Sequence, residues 1–389
     1  MNPHALTWAM STMPVAASIA ICTLIGTLVT KDRRDFSMPI QSKVLLAFML
    51  WICITLPFSF DIEGSIDMWK RVEKIDFMVL VTLVLLHSKQ HLITFIWVVV
   101  GSVGYFGIKG GLFTLITGGA HRVWGPSNTF IEGNNELALA LILIIPLFRF
   151  LQLQLTTKLG KHAISGAMVL CAAAALGSHS RGALVAIVAM AASLWWYGGK
   201  KIGLLIAMTI LGSAMIAFMP TEWISRMDTI GEYQDDASAM GRINAWWMAW
   251  NLALDRFFGG GFNIYNFVIF SIYAPIPEDV HAAHSIYFQV LGEHGFIGLF
   301  LFLLLWWLVW REAGKLRKEG TLQPETLWLS HLGAMCQVSL IGYAVGGAFL
   351  SLAYFDLPYN ILIMVVVARR WLNRKAWRDE SNQLQPAQA

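Results

Sequence analysis

Residues 281–310 read HAAHSIYFQVLGEHGFIGLFLFLLLWWLVW. From Ile286 to Trp310 the stretch holds one carboxylate, Glu293, and no lysine or arginine. A run of that length exceeds the ~20 apolar residues that an α-helix needs to cross a bilayer. Hydrocarbon offers no water to the backbone, so such a run is read as a membrane-spanning helix that satisfies its own hydrogen bonds. Similar stretches recur at about 13–29, 44–58, 75–87, 92–107, 136–151, 163–179, 182–197, 202–219, 328–350 and 359–372. The composition agrees: 57% of the 389 residues are hydrophobic and only 13% are charged, which excludes an ordinary soluble domain. The expected fold is all-α, a polytopic integral membrane protein with about 11 transmembrane helices in a single transmembrane domain, residues 1–389.

Charge then assigns the sides. When the spans alternate, most of the 28 basic residues gather on one face, from Lys31, Arg33 and Arg34 through Lys158, Lys161, Lys200 and Lys201 to Arg311, Lys315, Arg317, Lys318, Arg369 and Arg370. By the positive-inside rule that face is cytoplasmic, with a polar cytoplasmic tail at 373–389 and the N-terminus outside. Met1 is followed by no basic n-region, so the odd span count leads to the expectation of a twelfth helix upstream of this start. The topology accounts for the net charge of +4 without a nucleic-acid partner. Cys22, Cys53, Cys171 and Cys336 all fall within spans, where a thiol acts as a small apolar group. No Cys-x-x-Cys or His-Glu-x-x-His pattern occurs, so neither a disulfide framework nor a metal site is expected, and no cofactor is implied.

Two outside segments are long enough to be functional, about 108–135 and 220–285. The first is rich in glycine and in hydrogen-bond donors, as expected of a lid. The second, the large periplasmic loop, holds a candidate helix from Ser238 to Arg256. Its Trp246, Trp247 and Trp250 beside Arg242 fit a helix lying in the membrane interface.

Three residues on the outer face stand out. His284 lies where a polar loop meets the apolar helix, and an imidazole takes up a proton near neutral pH; the alternative is a helix cap. Arg181 closes the run Gly177-Ser-His-Ser-Arg-Gly182 at membrane depth, where it needs an anionic partner: a carboxylate such as Glu136 or Glu293, or a phosphate from substrate. Arg242 is either a headgroup anchor or part of the same site. His281 lies three residues before His284, and His294 reads as a packed or pore-lining group. Gly292, Gly295 and Gly298 read as close-packing positions.

Taken together, Met1-Asn-Pro-His4, Gly110 to Gly119, Arg122-Val-Trp-Gly-Pro126 with Asn134-Asn135, Ser180-Arg-Gly-Ala183, Gly241-Arg242, His284-Ser285 and Glu293-His-Gly-Phe-Ile-Gly298 resemble the bacterial O-antigen ligase and O-antigen polymerase superfamily. Within it the chain looks most similar to the exosortase-associated O-glycosylation ligase branch. The resemblance implies a multi-pass inner-membrane glycosyltransferase that moves a glycan from undecaprenyl diphosphate to an acceptor hydroxyl on the periplasmic side, with inversion and without metal. The acceptor would be lipid A core or a protein. It implies His284 as general base, with Arg181 and Arg242 on the diphosphate. Arg122, His281, Trp246, Trp250 and Glu293 are the further substrate-binding candidates. A polymerase of the same superfamily is the alternative enzyme. A lipid-linked glycan transporter is the alternative of another class, expected to show charges along several helices and a helical repeat.

Overall fold

The computed structural model describes residues 15–29, 38–197, 212–213 and 237–375. The expectations placed on Met1 to His4, Lys31 to Arg34, Lys200, Lys201, the span 202–219 apart from 212–213, residues 220–236 of the large loop and the tail beyond 375 fall outside the described residues. Twelve α-helices are described, and no strand among them. In chain order they are α1 (Val15–Val29), α2 (Ile40–Thr55), α3 (Ile62–Leu85), α4 (Lys89–Ile116), α5 (Asn134–Gln154) and α6 (Lys158–Gly177). There follow α7 (Arg181–Tyr197), α8 (Ala237–Asp255), α9 (Phe267–Tyr273), α10 (Ile286–Glu319), α11 (Leu327–Gly347) and α12 (Asp356–Asn373).

Five of these are long and apolar enough to cross a membrane: α2 with its short 3-10 extension, α4, α5, α6 and α10. Helices α1 and α7 are apolar but shorter. Helices α11 and α12 carry more polar groups, such as Ser330, Gln337 and Ser339 on one and Asp356, Arg369 and Arg370 on the other. They sit among other helices and bury most of their length, so their composition is set by protein neighbours rather than by lipid. The outer surface is apolar instead: Phe300 is 61% exposed, Leu50 55% and Trp307 52%. That reversal of the soluble pattern is what a lipid solvent demands, and the chain is a membrane-embedded, polytopic helical protein.

Between helices in lipid, close packing substitutes for the hydrophobic drive. Gly104, Gly107 and Gly111 of α4 line the contact with α5 and α6, and a Cβ on Gly111 would overlap the Leu170 carbonyl oxygen. The first long outside segment is therefore shorter than expected. Its glycines place Gly110 and Gly111 in a loop from about 108; α4 instead runs on to Ile116, and the loop is confined to 117–133. Glycine marks turns and tight helix contacts alike, and here the contact decides.

Helix α10 is broken. Gly295 has φ 67° and ψ −171°, splitting the helix into Ile286–His294 and a longer second half. The loop after α8 closes on the break: Gly260 N–H donates to Gly292 O at 2.9 Å and Gly261 N–H to Glu293 O at 3.0 Å. From the other side Trp51 Nε1 donates to His294 O at 2.9 Å. A side chain at Gly295 would run into Phe257 O and would also have to adopt the left-handed φ. We expect Gly295→Ala to cost about 1–3 kcal/mol, lowering the thermal midpoint of the detergent-solubilised protein. Gly26→Ala, where nothing lies within 4 Å, is the control; equal midpoints for the two variants would refute the account of the break.

Candidate active site

The loops at 117–133, 178–180, 256–285 and 348–355 all lie at one end of the bundle, opposite the end that carries Lys89, Lys158 and Arg369. Arg181 is the first residue of α7. Ser180 caps that helix by accepting the Ala183 N–H at 3.2 Å. Upstream, Asn134 Nδ2 holds Ser178 O at 2.7 Å and Val123 N–H donates to Gly177 O. The Ser-Arg-Gly turn is therefore fastened to the start of α5 and to the 117–133 loop. Arg122 sits exposed on that loop beside the inward-facing Val123.

Helix α8 realises the expected helix at Ser238–Arg256 almost residue for residue. Its buried face, Gly241, Asn244, Ala245, Met248, Ala249 and Leu252, follows the helical period and packs towards α9 and α10. Trp247 is 53% and Trp250 40% exposed, as an interfacial helix requires. Trp250 meets Phe296 edge to face. Trp246 works differently. Its ring stacks on Phe288 and its Nε1 donates to Ala283 O at 2.7 Å, bracing the residue before His284.

Asn244 completes that brace. Its Nδ2 donates to Ile276 O at 2.8 Å and to Asp279 O at 3.0 Å, while its Oδ1 accepts the Ile276 N–H at 2.9 Å. The segment entering the site is thus tied to α8. Within it, His281 Nδ1 lies 2.9 Å from Asp279 Oδ1, and the ring lies so close to Gly241 that a Cβ there would overlap it. Gly241 is needed because His281 occupies the space beside Arg242.

His284 follows at the mouth of α10, half-buried, with φ 42°. That left-handed conformation is uncommon outside glycine and is held here by the braces on either side. Ser285, the N-cap of α10, makes no side-chain cap hydrogen bond, and His284 Nδ1 has no hydrogen-bond partner. Burial, then the Arg242 guanidinium, then His281 push the His284 pKa down from 6.5 to about 4. The ring is therefore neutral at pH 7, with a lone pair free to accept a proton. Arg242 also acts electrostatically on Glu136 at the start of α5, two residues from Asn134. Arg181, Arg242 and His284 thus stand at one end, with Arg242 coupled to His284 on one side and to the α5 terminus on the other.

Glu293 is not beside them. It is 3% exposed inside the bundle, where Tyr354 OH donates to its Oε2 at 2.5 Å. His294 is buried too, its Nδ1 2.8 Å from Thr55 Oγ1, consistent with the packed role expected of it. Among the described residues no group of three or more His, Cys, Asp or Glu could hold a metal ion.

The sequence from 166 to 303, which contains Arg181, Arg242, His284 and Glu293, matches the family model described as O-antigen ligase. That match supports the O-antigen ligase superfamily for this part of the chain. Residues 1–157, Arg122 among them, match a family of unknown function, DUF5935. No curated protein matches the chain. The match to the O-antigen ligase model supports a membrane enzyme of the O-antigen ligase or polymerase type, a family whose donors are lipid-linked glycans.

The lowered histidine pKa fixes a sign. Between about pH 6.5 and about pH 4 the unfolded chain binds a proton at His284 that the folded chain refuses, so this residue's contribution to stability falls as pH falls through that window. In an NMR titration of labelled histidine we expect the His284 ring to stay neutral at pH 6, and its midpoint to rise in Arg242→Ala. A wild-type midpoint at 6.5, unmoved by the substitution, would contradict the site's electrostatics.

Proposed function

We propose that this protein transfers a glycan from undecaprenyl diphosphate to an acceptor hydroxyl, with Arg181, Arg242 and His284 as the reacting constellation. The reading rests on one observation above the others: a half-buried imidazole with an unpartnered Nδ1, under the field of the Arg242 guanidinium, at the mouth of an apolar helix. A cation next to a general base is poor design for a neutral substrate. It is good design for an anionic one.

When the lipid diphosphate enters, its negative charge offsets Arg242 and raises the proton affinity of His284, so the base gains strength when the donor is in place. The acceptor oxygen attacks the anomeric carbon, His284 takes the hydroxyl proton, and the bond from that carbon to the phosphate oxygen breaks. The electron pair leaves on the lipid diphosphate, where Arg181 and Arg242 stabilise it. The guanidinium fork suits two phosphate oxygens at once, and the N-termini of α7 and α10 add their own positive ends. Attack opposite the leaving group inverts the anomeric centre. Arg122 and His281 stand at the same end, where the glycan and its acceptor must meet, and Trp250 offers an apolar wall to the lipid. Placed in the bacterial inner membrane with the poorer basic end outwards, the site faces the periplasm. There the acceptor is lipid A core or a protein.

The test is transfer in membrane vesicles from cells lacking the gene, to which variants are restored. His284→Ala should lose about 10²–10⁴-fold in rate. Arg181→Lys keeps the charge but loses a bidentate contact worth ~1.5–3 kcal/mol, about 10–100-fold. A chelator should leave the rate unchanged. Full transfer by His284→Ala would overturn the base assignment, and glycan crossing vesicles without transfer would favour a transporter.

A further inference from the structure

The base assigned to His284 works only if the helix mouth stays in place, and the helix segment behind it is short. Ile286–His294 comprises barely two and a half turns before the break at Gly295. A segment of that length does not hold itself. The glycine loop at 259–261 and Trp51 grip its main-chain carbonyls, which fixes its end but leaves its rotation to the side chains.

The side chains facing inwards are polar. Gln289 is 5% and Glu293 3% exposed, one turn apart on the same face. Tyr354 OH donates to Glu293 Oε2 at 2.5 Å, and Gln289 Nε2 donates to Glu293 Oε1 at 3.5 Å. Gln289 Oε1 in turn accepts the Ala353 N–H at 3.3 Å. The stretch of chain that supplies these partners is itself pinned. Tyr343 OH donates to Leu352 O at 3.0 Å and Tyr359 OH to Ala353 O at 3.1 Å. A methionine or leucine would fill the same space at far lower cost in a membrane protein. What a carboxyl group adds is direction: a short hydrogen bond to one atom allows one rotation of the half-helix.

We propose that Glu293, through its hydrogen bond to Tyr354, is a positioning residue that sets the rotation of Ile286–His294 and thereby the place of His284. This rests on His284 being the base. Glu293 touches no substrate in this scheme, and the link runs from the 350–355 loop through Tyr354, Glu293 and the half-helix to the imidazole.

The experiment uses the full chain in lipid nanodiscs. The probe donor is undecaprenyl-diphosphate-linked glycan extracted from cells lacking the gene, with an envelope extract of the same cells as acceptor. Two readouts are taken: kcat and donor KM, and the rate at which diethyl pyrocarbonate modifies His284, followed by mass spectrometry. Tyr354→Phe removes one hydroxyl, and its thermal midpoint reports that the fold is kept. We expect Tyr354→Phe and Glu293→Ala to lower kcat about 100-fold with donor KM unchanged, the scale of a 1 Å misplacement. Both should speed modification of His284 several-fold. Glu293→Gln, which keeps an oxygen for the Tyr354 hydroxyl, should restore most of both. Unchanged kcat and modification rate in Tyr354→Phe would overturn the proposal, as would Glu293→Gln behaving no better than Glu293→Ala. If His284→Ala itself kept full turnover, the functional reading would fall, while the modification rates would still decide whether Glu293 positions the helix.

Discussion

At Gly295 the chain leaves helical geometry inside its longest apolar helix, and the carbonyls this frees have no water to turn to. Everything near the site is arranged around that need. The loop after α8 must lie close enough for Gly260 and Gly261 to donate to Gly292 and Glu293, which is why residues 259–261 are all glycine. Its approach brings α8 against α10, where Gly292 leaves room for Ala249 and Ile264. Once α8 is docked, Arg242 and the brace from Asn244 to the 276–279 segment follow, and His284 stands where the two meet. The break therefore delivers a rigid helix mouth, assembled from two distant parts of the chain, at the surface of a membrane protein.

The same constraint separates what is legible in the sequence from what is not. Apolar length is dictated by lipid, so α4, α5, α6 and α10 are readable as spans, and the period of the tryptophan-rich segment locates α8 to within a residue. Arg181, Arg242 and His284 stand out as candidates because each is expensive or reactive in its place. Glycine is ambiguous by nature: at Gly110 and Gly111 it suggests a loop and proves to be helix packing, whereas at Gly295 it suggests packing and proves also to be a break. Long-range pairs leave no local mark. Glu293 and Tyr354 are 61 residues apart, and Asn244 reaches Ile276, 32 positions away. One signal is present for Asn244, an amide on an otherwise apolar helical face, and one for Asp279, a carboxylate two residues before His281.

The two burial regimes of the bundle explain why the site survives at its edge. Helices α5, α11 and α12 are enclosed by protein and form the rigid centre, with Leu137 to Leu147 of α5 almost wholly buried. Helix α8 is enclosed on one face only and offers Trp247, Trp250 and Leu254 outwards. The polar groups of the proposed site thus lie between a stiff core and a lipid-facing helix, an arrangement that suits a lipid donor from the bilayer and a hydrophilic acceptor from water.

Electrostatics at that edge runs against the usual pairing. His281 has a carboxylate beside it, with Asp279 Oδ1 at 2.9 Å. His284 is half-buried and set beside Arg242 instead, and burial first and the guanidinium second hold its pKa down at about 4. Such a group gains proton affinity only when negative charge arrives, and a diphosphate carries that charge. The base proposed here is then weak in the empty site and gains strength in the loaded one. In the proposed reaction, donor binding and base strength become one event, set by charge rather than by any moving part.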